Sequence, residues 1–233
     1  QAIEASRQRL EKALAGDADL ASLLNRFDRW AQDLWDGAVV VYDAHTVMPQ
    51  IVDAIVRIHK ARSKELRHRD DQRILQPDWF QDPNAIGYVC YTDLFAGDLQ
   101  GIRKRISYLK GLGVTYLHLM PLLNPRPGNS DGGYAVMDYK SVRPDLGTMK
   151  DLSELAADLH EAGISLTLDL VLNHVAKEHE WALKARQGDK KYQDYFYAFP
   201  DRKVPDEYEK SLPEIFPTFA PGNFTYYEDM GQW

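Results

Sequence analysis

Three short apolar runs alternate with two amphipathic stretches in the middle of the chain, and this alternation constrains the fold more than any other feature. The apolar runs, which have the length of buried strands, span residues 88–91, 114–120 and 164–172. The stretches with a helical apolar period span residues 98–112 and 151–161, and a glycine lies just beyond each. A strand–helix–strand–helix–strand order with nearly continuous apolar strands predicts a parallel sheet that is buried on both faces.

Two parallel-sheet folds fit this order, a doubly wound nucleotide-binding sheet and a (β/α)8 TIM barrel. A nucleotide-binding oxidoreductase would place a glycine-rich phosphate loop after its first strand, whereas the residues after Tyr91 read Thr-Asp-Leu-Phe. A barrel carries its chemistry in loops at the carboxyl ends of its strands, where this chain has its longest loops, so the α/β barrel is favoured. Because a complete barrel has eight strands in about 250 residues, we expect this chain to contain only the first three and to end before the fourth.

The segment before the sheet predicts an all-helical N-terminal domain over residues 1–75. One of its helices is expected at residues 48–66, with Pro49 in the first turn. Residues 37–42 are rich in valine and could form a strand or an extended connection. Two prolines near the end of this region predict a linker over residues 76–86.

The segment after the sheet is too long for an ordinary connection. Residues 87–174 hold the first βα units of the barrel, and residues 175–233 contain many aromatic residues and prolines without a long periodic stretch. We interpret residues 175–233 as the start of an inserted domain after the third strand, and we expect the aromatic side chains from Phe216 to Trp233 to pack within it.

The charge balance excludes one class of partner. The 35 acidic residues outnumber the 28 basic ones, which argues against a nucleic-acid surface. The basic cluster at residues 57–73 is interleaved with Glu65, Asp70 and Asp71. Mixed charge of this kind is typical of a solvated helix face and does not indicate phosphate binding.

The single cysteine and the absence of long apolar runs indicate the compartment. Cys90 cannot form an internal disulfide, and its apolar neighbours predict a buried, unreactive thiol. No run approaches the length of about 18 apolar residues that a transmembrane helix requires, and no secretory signal follows Gln1. We therefore expect a cytoplasmic protein without membrane contact.

Polar residues stand at two of the expected strand ends. The third strand ends in Asp169, Asn173 and His174, and the loop after the second strand contains Asp131 and Tyr134 in the order Asp-Gly-Gly-Tyr. A buried carboxylate needs a partner, which favours an anchoring role for the aspartate of the third strand. The histidine could bind sugar hydroxyls or merely fix its loop. The tyrosine ring could stack on a sugar face, although an Asp-Gly pair also forms ordinary turns.

These two blocks resemble the Asp-x-x-x-Asn-His block and the glucose-pocket loop of the alpha-amylase family of glycoside hydrolases. Together they resemble one branch of it, the amylosucrases and sucrose hydrolases. Further runs of the chain that resemble this branch are Leu-Met-Pro-Leu-Leu from 119, Leu-Gly-Thr-Met from 146, Glu-Ile-Phe-Pro from 214 and Ala-Pro-Gly-Asn-Phe from 220. The branch also carries a helical N-terminal domain.

The resemblance implies roles for the five residues. Asp131, Tyr134 and His174 would bind substrate, the aspartate by pairing with a distant arginine and closing the pocket floor so that only one glucosyl unit fits. Asp169 and Asn173 would hold these residues in position without binding the substrate themselves. The substrate implied is sucrose, and the products are fructose and a glucosyl group passed to water or to a glucan acceptor with retained configuration.

The family's reacting carboxylates end its fourth, fifth and seventh strands, so the resemblance implies that this segment contains no catalytic residue and is inactive alone. Asp138, Asp169 and Glu228 are not assigned to those roles. Some polymerising members have an arginine before the Glu-Ile-Phe-Pro run, where this chain has Pro213, which argues against efficient polymer growth. Another alpha-glucosidase of the family, or a non-catalytic relative that binds sugar, remains the alternative.

The other histidines indicate packing more than chemistry. His118 lies inside the second apolar run and is expected to be a core residue. His179 and Trp181 are expected to pack the base of the insertion. His174 and His179 are flanked by glutamates but lack the His-Glu-x-x-His spacing of a zinc site, so no metal is expected. No cofactor is implied either.

Overall fold

The structure, a computed structural model, describes residues 1–218 and 221–233. Phe219, one of the aromatic residues expected to pack within the insertion, and Ala220, which begins the last run quoted above, lie outside the described residues. The chain forms two compact units, Gln1–Asp82 and Pro83–Trp233, and the boundary falls inside the expected linker. Across the described ranges, no helix is both long enough and apolar enough to cross a membrane.

Four helices make up most of the first unit. They are α1 (Ala2–Ala13), α2 (Leu20–Val41), α3 (Ala44–Ala61) and α4 (Lys64–Leu75), followed by a short 3-10 turn at Trp79–Gln81. The first three helices bury a common apolar core of Leu10, Leu24, Phe27, Ala31 and Val52. Each large apolar side chain buried in this way contributes about 1.5–3 kcal/mol relative to leaving it in water.

Residues 37–41 of the valine-rich run 37–42 are helical, which corrects the expectation of a strand or an extended connection, and only Tyr42 is extended. Helix α2 continues through Val41 and closes with a hydrogen bond from the Tyr42 N–H to the Ala38 carbonyl. The helical cost of a valine is at most about 0.7 kcal/mol. A helix that is already formed and packed along one face extends through three of them because each added residue completes another backbone hydrogen bond.

The helix expected at residues 48–66 is two helices. Helix α3 begins at Ala44 because the Asp43 side chain accepts a hydrogen bond from the backbone N–H of His45. It ends at Ala61, and Ser63 caps α4 by accepting from the backbone N–H of Leu66. Aspartate and serine at these positions are ordinary N-caps, so the break was encoded locally and was missed in the sequence.

The second unit contains a three-stranded parallel sheet in the order β1–β2–β5. Its strands are β1 (Ile86–Cys90), β2 (Val114–Leu119) and β5 (Ser165–Leu168). The helices that connect them are α5 (Thr92–Ala96), α6 (Leu99–Lys104), α7 (Ile106–Gly111) and α8 (Met149–Glu161). The single helix expected at residues 98–112 is interrupted at Arg105, and Gly113 ends it with a positive φ of 77°.

One face of this sheet is buried and the other is open, which corrects the expectation of burial on both faces. Leu117 and Leu119 have no exposed surface and pack against the apolar faces of α6, α7 and α8. On the opposite face, Val89, His118 and Thr167 lie in one row across the three strands, and Val89 is 61% exposed. In a barrel this second face packs against the other strands of the barrel, and three strands cannot cover it.

An antiparallel hairpin occupies the long loop between β2 and α8. Its strands are β3 (Leu123–Pro125) and β4 (Val136–Val142), and a 3-10 turn at Asp131–Gly133 lies between them. The ladder is irregular, with a register shift at each step. A three-residue strand that ends in proline gives no alternating pattern, which is why the sequence indicated only a loop.

The segment after residue 174 forms short helices and aromatic contacts. The helices are α9 (Glu180–Arg186), α10 (Lys190–Gln193) and α11 (Lys203–Glu209). Phe224 contacts Phe199 and Tyr208 with ring centroids 5.7 and 6.2 Å away, and Tyr226 contacts Trp233 at 5.3 Å. Phe224, Tyr226 and Trp233 therefore pack within the segment as expected, whereas Phe216 is 43% exposed.

Candidate functional site

The carboxyl ends of the three parallel strands lie along one edge of the sheet. Tyr91, Met120 and Asp169 directly follow β1, β2 and β5 there. The β3–β4 hairpin leaves the same edge because it follows β2. The residues singled out at the strand ends are therefore collected at one place, as the parallel order requires.

Asp169 lies between two donors from separate elements. The Tyr134 hydroxyl donates to Oδ2 of Asp169 at 3.2 Å, and Nε2 of His118 lies 3.1 Å from Oδ1. An ionised carboxylate only accepts hydrogen bonds, so His118 must carry a proton on Nε2. The carboxylate is thus fixed from the hairpin on one side and from β2 on the other.

Tyr134 is held as a neutral phenol in this arrangement. Burial raises the pKa of its hydroxyl, and the negative charge of Asp169 raises it further. Both effects disfavour the phenolate because burial removes water from it and the carboxylate repels it. The hydroxyl therefore stays a hydrogen-bond donor over the whole neutral range.

The turn before Tyr134 has a left-handed backbone at three consecutive residues. Asp131, Gly132 and Gly133 all have positive φ, at 53°, 64° and 97°. A Cβ atom on Gly133 would lie 3.0 Å from the carbonyl oxygen of Pro121, and one on Gly132 would lie 2.8 Å from the Tyr91 hydroxyl. Glycine is required at both positions because the backbone turns left-handed against close neighbours.

Asp131 is the residue of this turn for which the left-handed backbone is costly, because it has a Cβ atom. A side chain with a Cβ atom costs about 1–2 kcal/mol in the left-handed conformation. The Asp131 carboxylate is exposed, and no hydrogen bond joins it to another residue in the described part of the chain. Strain of this kind, held by the surrounding structure, is common in binding sites.

His174 is tied to the same hairpin. Its Nδ1 lies 3.0 Å from the side-chain amide nitrogen of Asn173, and its Nε2 lies 3.1 Å from the Tyr134 carbonyl oxygen. The amide nitrogen only donates and the carbonyl only accepts, so Nδ1 accepts and Nε2 carries the proton. The Tyr139 hydroxyl also donates to the His174 carbonyl at 3.2 Å.

The structure thus brings all five residues into one cluster and adds two that sequence reasoning missed. His118 is half-buried and contacts Asp169, so the expectation of a core histidine was wrong. The position of His118 in the strand could have shown this. It lies between the fully buried Leu117 and Leu119, so its side chain must point to the opposite face of the sheet. No pattern in the sequence distinguished Tyr139 from the other tyrosines.

His179 and Trp181 lie beside this cluster and serve packing, as expected. The His179 ring is buried, caps α9 by accepting from the Trp181 N–H at 3.1 Å, and contacts the ring of Tyr139 at 5.6 Å. Burial lowers its pKa. A neutral histidine in this position keeps the lone pair that the cap requires.

Other acidic residues nearby are engaged in local structure. Asp138 accepts hydrogen bonds from the Ser141 hydroxyl and the Lys140 N–H, which lower the pKa of its carboxyl, the serine most strongly. Within residues 1–218 and 221–233, no three His, Cys, Asp or Glu side chains group as metal ligands would. The cluster at the strand ends offers the ring of Tyr134, the exposed carboxylate of Asp131 and several polar groups. Such a set can stack on a sugar ring and bind its hydroxyls.

Comparison with known proteins gives the family of this chain. Residues 74–233 match the alpha-amylase family, described as "Alpha amylase, catalytic domain". An oligo-1,6-glucosidase of Halalkalibacterium halodurans is 35% identical over 68% of this chain and 26% of its own length. A trehalose synthase of Pimelobacter is 34% identical over 66% of this chain and 25% of its own length.

A solved structure agrees with the sequence relatives. A mutant of MutB, crystallised in complex with the substrate sucrose, has a TM-score of 0.55 and 32% identity, over 67% of this chain and 28% of that one. The chain therefore spans about a quarter of the length of the relatives it matches. Its parallel sheet is a partial (β/α)8 barrel-like sheet, and the chain belongs to the alpha-amylase family, matching its catalytic domain from residue 74 onward.

Proposed function

We propose that this chain is the N-terminal part of a retaining enzyme that takes a glucosyl group from sucrose, passes it to water or to a glucan acceptor, and releases fructose. The observation that carries this proposal is the cluster at the strand ends. There Tyr134 bonds Asp169 through its side chain and His174 through its carbonyl. Both contacts fix the residue whose ring would meet the sugar.

Each residue of the cluster has a role in this proposal. Asp131, Tyr134 and His174 bind the glucosyl unit, and the strained turn aims the free Asp131 carboxylate at the pocket floor. Asp169 and Asn173 support Tyr134 and His174 through the hydrogen bonds described above. The nucleophile and the acid/base come from sequence beyond Trp233, so the binding wall and the reacting groups are separate parts of the protein.

Sucrose is favoured as substrate by two independent points. The quoted runs resemble the amylosucrase and sucrose hydrolase branch, and a similar solved structure, of MutB, holds sucrose. In the same proposal the helices of residues 1–75 form the N-terminal domain of that branch, and residues 175–233 begin its inserted domain.

A second candidate is another alpha-glucosidase of the family. It is favoured by the 35% identity to an oligo-1,6-glucosidase. A non-catalytic relative that binds sugar through the same cluster is the third. The three differ in whether sucrose, an α-1,6-linked glucose disaccharide or neither is cleaved.

The test is product analysis with the full-length protein that contains this chain. Its intact mass is measured first, and it is then incubated separately with sucrose and with the α-1,6-linked disaccharide. Fructose with glucose supports the hydrolase, and fructose with a growing glucan supports the transferase. Cleavage of the α-1,6 linkage alone supports the second candidate. Binding without cleavage of either sugar supports the third and refutes the enzyme.

A pair of variants tests the site. In the full-length protein, Tyr134→Ala should reduce sucrose turnover by about 100-fold or more, because it removes the sugar-stacking ring and releases Asp169. Tyr197→Ala is the matched control, since that side chain is 91% exposed, and it should leave turnover unchanged. Near-normal turnover in Tyr134→Ala would show that the cluster is not the substrate site.

A further inference from the structure

The loop that carries Asp131 and Tyr134 is closed at its base by a backbone hydrogen bond. The N–H of Arg126, the residue that follows β3, donates to the Ala135 carbonyl at 2.9 Å. Residues 127–134, here called the Asp131 loop, lie between these two groups. Since Tyr134 directly precedes Ala135, whatever fixes the base of the loop also fixes the backbone that carries the tyrosine ring.

The same backbone is held from the other side by the chain that follows β5. The Tyr134 carbonyl lies 3.1 Å from Nε2 of His174, and the Val136 carbonyl accepts from the Ala176 N–H at 2.9 Å. Residues 174–179, here called the His174 segment, thus bond the carbonyls on either side of the one at the base of the loop. The chain around Tyr134 is therefore held between the end of β3 and the His174 segment.

The side chain of Arg126 joins these two sides. Its Nη2 donates to Oε1 of Glu178 at 2.8 Å, and the arginine and the glutamate side chains are 30% and 29% exposed. Glu178 lies in the His174 segment, 52 positions from Arg126 in sequence. The backbone of Arg126 thus closes the Asp131 loop, while its side chain reaches the segment that carries His174.

The pair makes fewer hydrogen bonds than its chemistry allows. An arginine and a carboxylate can form two parallel bonds, but Nε of Arg126 and Oε2 of Glu178 are buried without a hydrogen-bond partner among the described residues. A buried polar atom without a partner destabilises the fold, and apolar residues of similar size often replace a buried ion pair without loss of stability. The geometry that the pair imposes is therefore a better reason for its place than stability.

We propose that Arg126 and Glu178 are positioning residues, which hold the Asp131 loop against the His174 segment so that the three proposed sugar-binding side chains keep one arrangement. A charged hydrogen bond sets a distance and a direction between the elements it joins, whereas two apolar side chains can slide past each other. The identity of the sugar rests on the proposed function. The coupling of the loop to the segment rests on the contacts alone.

Hydrogen–deuterium exchange of the purified 233-residue chain, followed by NMR, tests the coupling without any sugar. Glu178→Gln keeps the shape of the side chain and removes its charge. A hydrogen bond to a neutral acceptor is weaker, so the N–H groups of Arg126 and Ala176 should exchange about tenfold faster. Exchange within α8 should stay as it is in the unaltered chain.

The matched control is the same substitution two positions further along. The Glu180 side chain is 65% exposed and pairs with Lys184 on the surface of α9, so Glu180→Gln should leave exchange at Arg126 and Ala176 unchanged. Unchanged exchange at these two N–H groups in Glu178→Gln as well would overturn the proposal.

An apolar pair separates positioning from stability. The double variant Arg126→Met, Glu178→Leu should melt at or above the Tm of the unaltered chain, because it removes two unsatisfied polar atoms. Its N–H groups at Arg126 and Ala176 should nevertheless exchange about tenfold faster. A lower Tm with faster exchange throughout the chain, α8 included, would mean that the pair only stabilises the fold, and this result also overturns the proposal.

Kinetics of the full-length protein that contains this chain test the effect on the site. With the sugar that is cleaved, sucrose or the α-1,6-linked disaccharide, Glu178→Gln should raise KM about tenfold and change kcat by less than about twofold, because the loop binds the sugar while the reacting groups lie elsewhere. Arg126→Lys keeps a positive charge and one donor, which is all that the observed bond uses, so its KM should stay within about threefold of the unaltered value.

Failure of this inference and failure of the proposed function give different results. Cleavage of neither sugar would refute the proposed function, and the exchange rates would still decide whether the pair couples the loop to the segment. In an active enzyme, an unchanged KM in Glu178→Gln would overturn the inference. An equal rise of KM in Arg126→Lys and Glu178→Gln would overturn it too, because the single bond would then not be what acts.

Discussion

The left-handed backbone of Asp131, with φ of 53°, predicts an unusual order of stability among variants at this position. A residue with a Cβ atom costs about 1–2 kcal/mol in this conformation. Glycine avoids that cost but loses about 0.5–1 kcal/mol more chain entropy on folding. We therefore expect Asp131→Gly to be more stable than Asp131→Ala by about 0.5–1 kcal/mol. The order is normally the reverse at helical positions.

Thermal unfolding of the purified chain measures this difference. A change of about 1 kcal/mol shifts Tm by about 2–4 °C for 150–250 residues, so the glycine variant should melt about 1–4 °C above the alanine variant. Because the Asp131 side chain makes no hydrogen bond to a described residue, Asp131→Ala should lie close to the unaltered chain.

The matched control is the same pair of substitutions at Lys150. This residue lies in α8 with an 85% exposed side chain, and there alanine should be more stable than glycine by about 1 kcal/mol. If Asp131→Ala melts above Asp131→Gly, as at the helical control, the left-handed backbone at Asp131 is refuted, and the proposed place of this residue at the pocket floor loses its support.

Three further predictions concern unfolding by urea. Tyr134→Phe should lower the free energy of unfolding by about 1 kcal/mol, because Asp169 loses a donor. Leu155→Ala, at a side chain with no exposed surface, should lower it by about 2–5 kcal/mol, whereas Leu172→Ala, at 80% exposure, should change it by less than about 0.5 kcal/mol. Burial lowers the pKa of His179, so the unfolded chain binds a proton at higher pH than the folded chain. The contribution of neutral His179 to the free energy of unfolding should be complete above about pH 6.5 and should decrease as the pH falls toward the lowered pKa. The variant His179→Asn keeps a helix cap and should lose less stability over the same pH range.

Each of these has a result that would contradict it. Tyr197→Phe should be neutral, and an equal loss in both tyrosine variants would mean that the bond to Asp169 adds nothing. Similar losses in the two leucine variants would contradict the assigned core. An unchanged pH dependence in His179→Asn would mean that this ring is not held neutral by burial.

The sequence alone was sufficient for the parallel sheet and for the location of the candidate site. Apolar runs that alternate with helical stretches leave few topologies, and the carboxyl ends of parallel strands must share one edge. The sequence therefore predicts that the polar residues at these strand ends lie together, namely Asp131, Tyr134, Asp169, Asn173 and His174. Local patterns determine these features because the apolar spacing typical of a strand or a helix continues over many residues.

Only the tertiary structure decided which side chains meet. The contact of His118 with Asp169 depends on a strand register between residues 51 positions apart, and the hairpin that carries Tyr134 has strands too short to show a pattern. The valines at the end of α2 are helical because a packed helix extends through them. Secondary-structure propensity and apolar spacing describe only a few neighbouring residues. These contacts depend on how whole helices and strands pack, and a local pattern holds no information about that.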